Sequence, residues 1–111
     1  MDVERIARND ATFRHANERI ERAAEQADVE LVPFLCECAD ERCTEIVRLT
    51  LTDYEAVRAD PRWFLNVPGH ERGSQPYVRV VDDRGAYLVV EKLGEAAAIV
   101  EDLDERTSAG G

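Results

Sequence analysis

The chain has 111 residues, room for one domain and not for two, and its 34% charged and 44% apolar residues are the mixture of a globular fold that faces water. Its formal net charge of −10 is spread evenly: residues 1–30 carry 5 basic and 8 acidic groups, residues 31–70 carry 4 and 7, and residues 71–111 carry 5 and 9. With no basic stripe to neutralise phosphates, direct contact with nucleic acid is not expected, and no run approaches the roughly 18 apolar residues of a membrane span.

The opening "MDVERIARND" has no apolar signal core, and three cysteines are an odd number for a secreted disulfide framework, so the expected setting is the cytoplasm. Lys92 is the only lysine among 14 basic residues, and with abundant alanine this is the composition of a GC-rich bacterial genome.

Residues 1–28 form the first expected unit, one long amphipathic helix. Ile6, Phe13, Ile20 and Ala27 recur every seven residues, Asp2 fits an N-cap, and Glu4/Arg8, Asp10/Arg14 and Glu18/Arg22 are i,i+4 pairs. Asp10 and Asn17 interrupt the second row of the stripe, which suggests a helix docked along one edge. Some 26 residues at 1.5 Å give roughly 39 Å, against a diameter near 28 Å for a compact domain of about 70 residues, so part of the helix is expected to overhang or to meet a partner.

Residues 31–103 form the second unit, a small α+β domain. "LVPFLCEC" reads as a strand, and "EIVRLTL" as a second. "TDYE" reads as a capping box with Thr52 as N-cap, opening a short helix with Tyr54 and Val57 inward. "WFLNVPGH" gives an apolar run and a Pro-Gly turn. "YVRVVDDRGAYLVVEKL" gives a hairpin that turns at Asp82–Gly85, and Gly94 opens a short closing helix. Residues 104–111 read as a disordered tail. The fold class is α+β: a long N-terminal helix, a small, mainly antiparallel sheet and two short helices.

All three cysteines lie in "FLCECADERC". In an extended chain Cys36 and Cys38 point the same way, about 6.6 Å apart at Cα, and converging thiolates can share one zinc. The residues "ADER" allow a turn that returns Cys43 to the same place. Of the two histidines, His15 is remote in the long helix, while His70 follows Pro68-Gly69, a turn able to swing it off the sheet. A Cys₃His zinc site of Cys36, Cys38, Cys43 and His70 is the expected centre, with Glu37, Asp40 and Glu71 as substitute donors. A packed part of about 70 residues has a core that supplies only about 3–5 kcal/mol, and a structural metal is a common remedy. Three alternatives stay open: buried thiols as apolar filler, a strained Cys36–Cys38 disulfide, and an iron–sulfur cluster.

"FLCECADERC", "LTLTDYEAVRADPRWF", "VPGHE" and "VVEK" together resemble a family of small uncharacterised proteins from high-GC bacteria, over about residues 8–102. The resemblance implies that C-x-C-x₄-C and P-G-H belong to one unit. The chain is also loosely similar to iron–sulfur proteins with three cysteines and one histidine that begin with C-x-C. In those the third cysteine and the histidine are close, whereas Cys43 and His70 are 27 residues apart, which favours zinc.

Three functions are compatible with these residues. The first is a zinc-stabilised interaction or regulatory module that binds a protein partner or a second copy through the long helix. The second is a thiol or metal redox sensor. The third is a zinc hydrolase, for which the supporting motifs are missing: there is no H-x-E, P-C-x-x-C, Walker loop or G-x-G-x-x-G.

Overall fold

The computed structural model describes residues 2–106. The elements run α1 (Val3–Ala27), β1 (Val32–Leu35), β2 (Ile46–Leu49), α2 (Leu51–Val57), β3 (Trp63–Asn66), a 3₁₀ helix (His70–Ser74), β4 (Val78–Asp83), β5 (Leu88–Lys92) and α3 (Gly94–Asp102). This is the α+β architecture expected, with one refinement: the strands divide into two antiparallel sheets, β1-β2 and β3-β5-β4.

The chain between the sheets joins them. Cys36 N–H donates to Glu45 O at 3.1 Å on the β2 side, and Glu37 N–H donates to Leu65 O at 2.7 Å on the β3 side. One core gathers Phe34, Val47, Leu49, Tyr54, Val57 and Leu65, with Phe34 and Tyr54 stacked at 4.2 Å between centroids. A second gathers Ala7, Phe64, Val78, Leu88, Val90 and Val100 where α1 and α3 cover the three-stranded sheet.

α1 begins as its sequence suggests. Asp2 accepts from Glu4 N–H and Arg5 N–H, and Arg8 pairs with Glu4 at 3.0 Å. Its docking is different. The helix measures about 38 Å, and it buries residues from Ile6 to Ala24 against its own domain, leaving only its last turn exposed. Its buried face holds Asp10, Arg14, Asn17, Glu18 and Glu21 beside Ile6, Ala7, Ala11 and Ala24, while Phe13 and Ile20 are half-buried and Ala27 is exposed.

The polar face is buried because each group has a distant partner. Asp10 meets Lys92 Nζ at 2.7 Å, and that ammonium also donates to Ser74 Oγ at 2.7 Å. Arg14 lies 4.4 Å above the Phe64 ring and donates to Pro61 O and Val100 O at 2.6 and 2.8 Å. The expected pairs Asp10/Arg14 and Glu18/Arg22 are therefore replaced by tertiary ones, since a buried charge is tolerated only where partners surround it.

Two shorter corrections follow the same logic. The cap of α2 is Thr50, whose Oγ1 accepts from Asp53 N–H at 3.1 Å, and not Thr52, because β2 stops at Leu49 and Leu51 already belongs to the helix. Asp82 and Asp83 pair with Val89 and Leu88 inside the hairpin, whose register shifts between Val80 and Asp82; the turn falls at Arg84–Tyr87, where Gly85 takes φ 82°.

The C-terminal segment also differs from the tail expected over residues 104–111. Asp104 is buried and accepts from Arg58 Nη2 at 2.8 Å, and Arg106 pairs with Glu18, Glu21 and Glu55. The remainder of that expectation, residues 107–111, lies outside the described residues. No described helix is long and apolar enough to cross a membrane.

Candidate metal centre

β1 ends at Leu35, and the extended backbone beyond it alternates in direction. Cys36 and Cys38 face one side and Glu37 the other, which separates a thiol cluster from a buried carboxylate. Cys43 N–H closes a turn on Asp40 O at 3.0 Å and brings the third cysteine back. Across the site, His70 N–H closes the Pro68-Gly69 turn on Val67 O at 3.0 Å, with Gly69 at φ 96°, a conformation that favours glycine.

These turns converge. One potential ligand atom from each of Cys36, Cys38, Cys43 and His70 lies within 4.8 Å of all the others, so the four can hold a metal ion. His70 Nδ1 stands 3.6 Å from Cys36 Sγ and 3.5 Å from Cys43 Sγ. A tetrahedral ion with bonds of about 2.3 Å to sulfur and about 2.0–2.1 Å to nitrogen sets its S···N edges at about 3.6 Å. Cys36 and Cys38 are buried, while Cys43 and His70 are half-buried; Cys38 and His70 border a cleft of about 250 Å³ shared with Asp40, Gly69 and Gly73.

The electrostatics are those of thiolates crowded together. The Cys38 thiol is pulled down to about 5, chiefly by a hydrogen bond from Cys36, whose own thiol is pushed well up by that same bond and by burial. Burial raises Cys43. Val67 N–H donates to Cys36 Sγ at 3.2 Å, an outer partner of the kind that metal-bound sulfur accepts. A divalent cation would replace the shared proton and allow all three thiolates at once.

The substitute donors named from sequence are committed elsewhere. Glu37 accepts from Tyr54 Oη at 2.6 Å, Asn17 Nδ2 at 2.9 Å and Leu65 N–H at 2.9 Å, on the far side of the chain from the sulfurs. Burial pushes its carboxyl up, against the pull of those donors. Asp40 Oδ1 accepts from Arg42 N–H, and Glu71 Oε1 from Gly69 N–H at 2.7 Å, fixing the turn that carries His70. His15 Nε2 lies 3.0 Å from Leu103 O, away from the cluster.

Sequence reasoning missed the two asparagines that hold this region from α1. Asn9 Nδ2 donates to Ala39 O at 2.9 Å. Asn17 pairs with both backbone groups of Leu35, donating to its carbonyl at 2.8 Å and accepting from its N–H at 2.7 Å, much as a neighbouring strand would. The available signal was asparagine inside a long helix, where its propensity is poor.

No family model, curated protein or solved structure matches this chain.

Proposed function

We propose that this protein is a zinc-stapled interaction module, in which one Zn²⁺ held by Cys36, Cys38, Cys43 and His70 fixes the loops between the two sheets and the domain acts by binding a protein partner or a second copy of itself. The observation that carries the zinc reading is the pair of Sγ···Nδ1 distances, 3.6 and 3.5 Å, which are the edges of a tetrahedron around one ion of that size. Three sulfurs and one imidazole suit zinc, and four protein ligands fill its tetrahedron, leaving no position for a substrate or an activated water. That argues for a structural role over hydrolysis.

The span of 4.8 Å across all four ligand atoms suits one ion better than an iron–sulfur cluster, whose several atoms push ligand pairs apart. The half-buried edge at Cys43 and His70 supports the second reading, a thiol sensor that releases its metal on oxidation. The inner face of α1 is filled from Ile6 to Ala24 by its own domain, so a partner would meet the outer face of the helix or another surface.

The test is elemental mass spectrometry on protein purified without added metal, with an absorption spectrum. One zinc per chain that is lost in Cys43→Ser and His70→Ala is the expected result. Iron with visible absorbance, or no metal, would overturn it. Reversible zinc release by mild peroxide would shift the role toward sensing.

A further inference from the structure

The three thiols of the candidate metal centre are not equivalent. Cys36 and Cys38 are each 1% exposed, whereas Cys43 is half-buried. The residues on both sides of Cys43, from Asp40 to Arg42 and from Thr44 to Ile46, are exposed, so a small reagent in solvent meets this sulfur before the other two. Cys36 is tied down at both ends: its N–H donates to Glu45 O at 3.1 Å, and its Sγ accepts from Val67 N–H at 3.2 Å.

Backbone spacing decides which thiol is the partner of Cys43. The register of β1 and β2 pairs Leu35 with Ile46, and the hydrogen bond from Cys36 to Glu45 carries it one step further. Two more residues along each arm bring Cys38 opposite Cys43, beside the turn that Cys43 N–H closes on Asp40 O. Residues directly opposite in an antiparallel pair stand about 4.5–5.5 Å apart at Cα, inside the range that a disulfide bridges. Diagonal neighbours, the relation of Cys36 to Cys43, stand about 7–8 Å apart. All three sulfurs lie within 4.8 Å of one another, so side-chain reach does not limit the choice.

We infer that Cys43 is an oxidation site for small hydroperoxides, and that Cys38 resolves the oxidised sulfur into a Cys38–Cys43 disulfide that ejects the metal. The inference rests on the zinc reading above and deepens it, naming the sulfur that reacts, the one that resolves it and the ligands left behind. Hydrogen peroxide is small and uncharged, so the net charge of −10, which repels anionic oxidants such as glutathione disulfide, does not keep it out.

The chemistry balances in two steps. The Cys43 thiolate attacks one peroxide oxygen; the S–O bond forms as the O–O bond breaks, and hydroxide leaves. The Cys38 thiolate then attacks the sulfenic sulfur; the S–S bond forms as the S–O bond breaks, and a second hydroxide leaves. The two sulfurs give up two electrons, the peroxide takes them, and two protons from solvent turn both hydroxides into water. Cys36 and His70 remain as half of a tetrahedral set, too few to hold Zn²⁺ against water. The turns at Cys43 and His70 then lose the ion that joined them, while the hydrogen bonds of Glu37 to Tyr54, Asn17 and Leu65 stay in place.

The experiment uses the full zinc-loaded chain and hydrogen peroxide. Zinc content is measured first, zinc release is followed with a chromogenic chelator, and the disulfide is located by tryptic mapping without reduction. Trypsin cuts after Arg22, Arg42 and Arg48, which leaves Cys36 and Cys38 in residues 23–42 and Cys43 in residues 43–48. The expected product is those two peptides joined, with fragmentation between Cys36 and Cys38 placing the bridge on Cys38 and each bridge matched by a released zinc. Dithiothreitol with added zinc should restore the starting chain, and glutathione disulfide at equal concentration should release zinc more slowly. Brief iodoacetamide labelling of the unaltered zinc-loaded chain should modify Cys43 about tenfold faster than Cys36 or Cys38. A bridge within residues 23–42, a link through Cys36, equal labelling, faster release by glutathione disulfide, or zinc retained under peroxide would each overturn this inference and leave the staple standing. A chain that binds no zinc would overturn the staple itself, and this inference with it.

Discussion

Tyr54 donates its hydroxyl proton to Glu37 Oε2 at 2.6 Å, and the chain neighbours of Glu37 are Cys36 and Cys38. A fully buried carboxylate and two buried thiols thus alternate along three residues. Glu37 ties α1 through Asn17, α2 through Tyr54 and β3 through Leu65, so the candidate metal centre sits on a floor that is hydrogen-bonded independently of it.

From that floor comes a prediction about metal removal. Chelation should free the loop over residues 38–45 and the 3₁₀ helix while leaving the Glu37 core formed. Amide exchange should rise by an order of magnitude or more around Ala39–Cys43 and His70–Gly73, with little change in β5. Uniform loss of protection would show that metal and core fold as one unit.

Asn17 makes a separate case. Asn17→Ala leaves Leu35 N–H and C=O without their partner and removes a donor from Glu37. The expected cost is about 3 kcal/mol, from unsatisfied buried groups at about 1–3 kcal/mol each. Urea unfolding measures it. A loss under about 0.5 kcal/mol would mean that water replaces the amide freely.

Asp10 and Lys92 are both fully buried and 2.7 Å apart. Removing one partner strands the other, so Asp10→Asn or Lys92→Met alone should destabilise by about 3–5 kcal/mol. The double variant should recover a large part of that loss. A double-mutant cycle with no coupling would contradict the pair as drawn.

For pH, the signs run one way at two buried carboxyls. Burial raises Asp10 to about 7 and Glu21 to about 8, both above their unfolded values. In that window the folded chain holds more protons than the unfolded one, so these groups lower stability as pH rises from about 4 to about 8. A proton held across that window is worth at most about 1.4 kcal/mol per pH unit, and less for a partly solvated carboxyl, so Glu21→Gln should gain on the native chain by at least about 1 kcal/mol between pH 5 and 8.5, a difference in which the metal contribution cancels. Parallel stability curves would refute the assignment.

Much of the centre was legible because its chemistry is local. C-x-C-x₄-C lies within eight residues, and Pro-Gly sits immediately before His70. The β5 strand, the Tyr54 anchor and the Asp2 cap were legible for the same reason. The inner face of α1 was not. Periodicity counts Asp10, Arg14, Asn17, Glu18 and Glu21 as surface, and only tertiary partners as distant as Lys92, Val100 and Arg106 reverse that. Arg106 looked like the start of a tail because three glutamates, none of them near it in sequence, are what hold it.

The alternation of Cys36, Glu37 and Cys38 has a consequence for how this stretch can change over generations. Substitutions there act one at a time, but inserting or deleting a single residue would turn the carboxylate toward the sulfurs and a thiol toward Tyr54 and Asn17, spoiling both environments in one event. Such a segment is free to drift in composition at its edges and is locked in length at its centre.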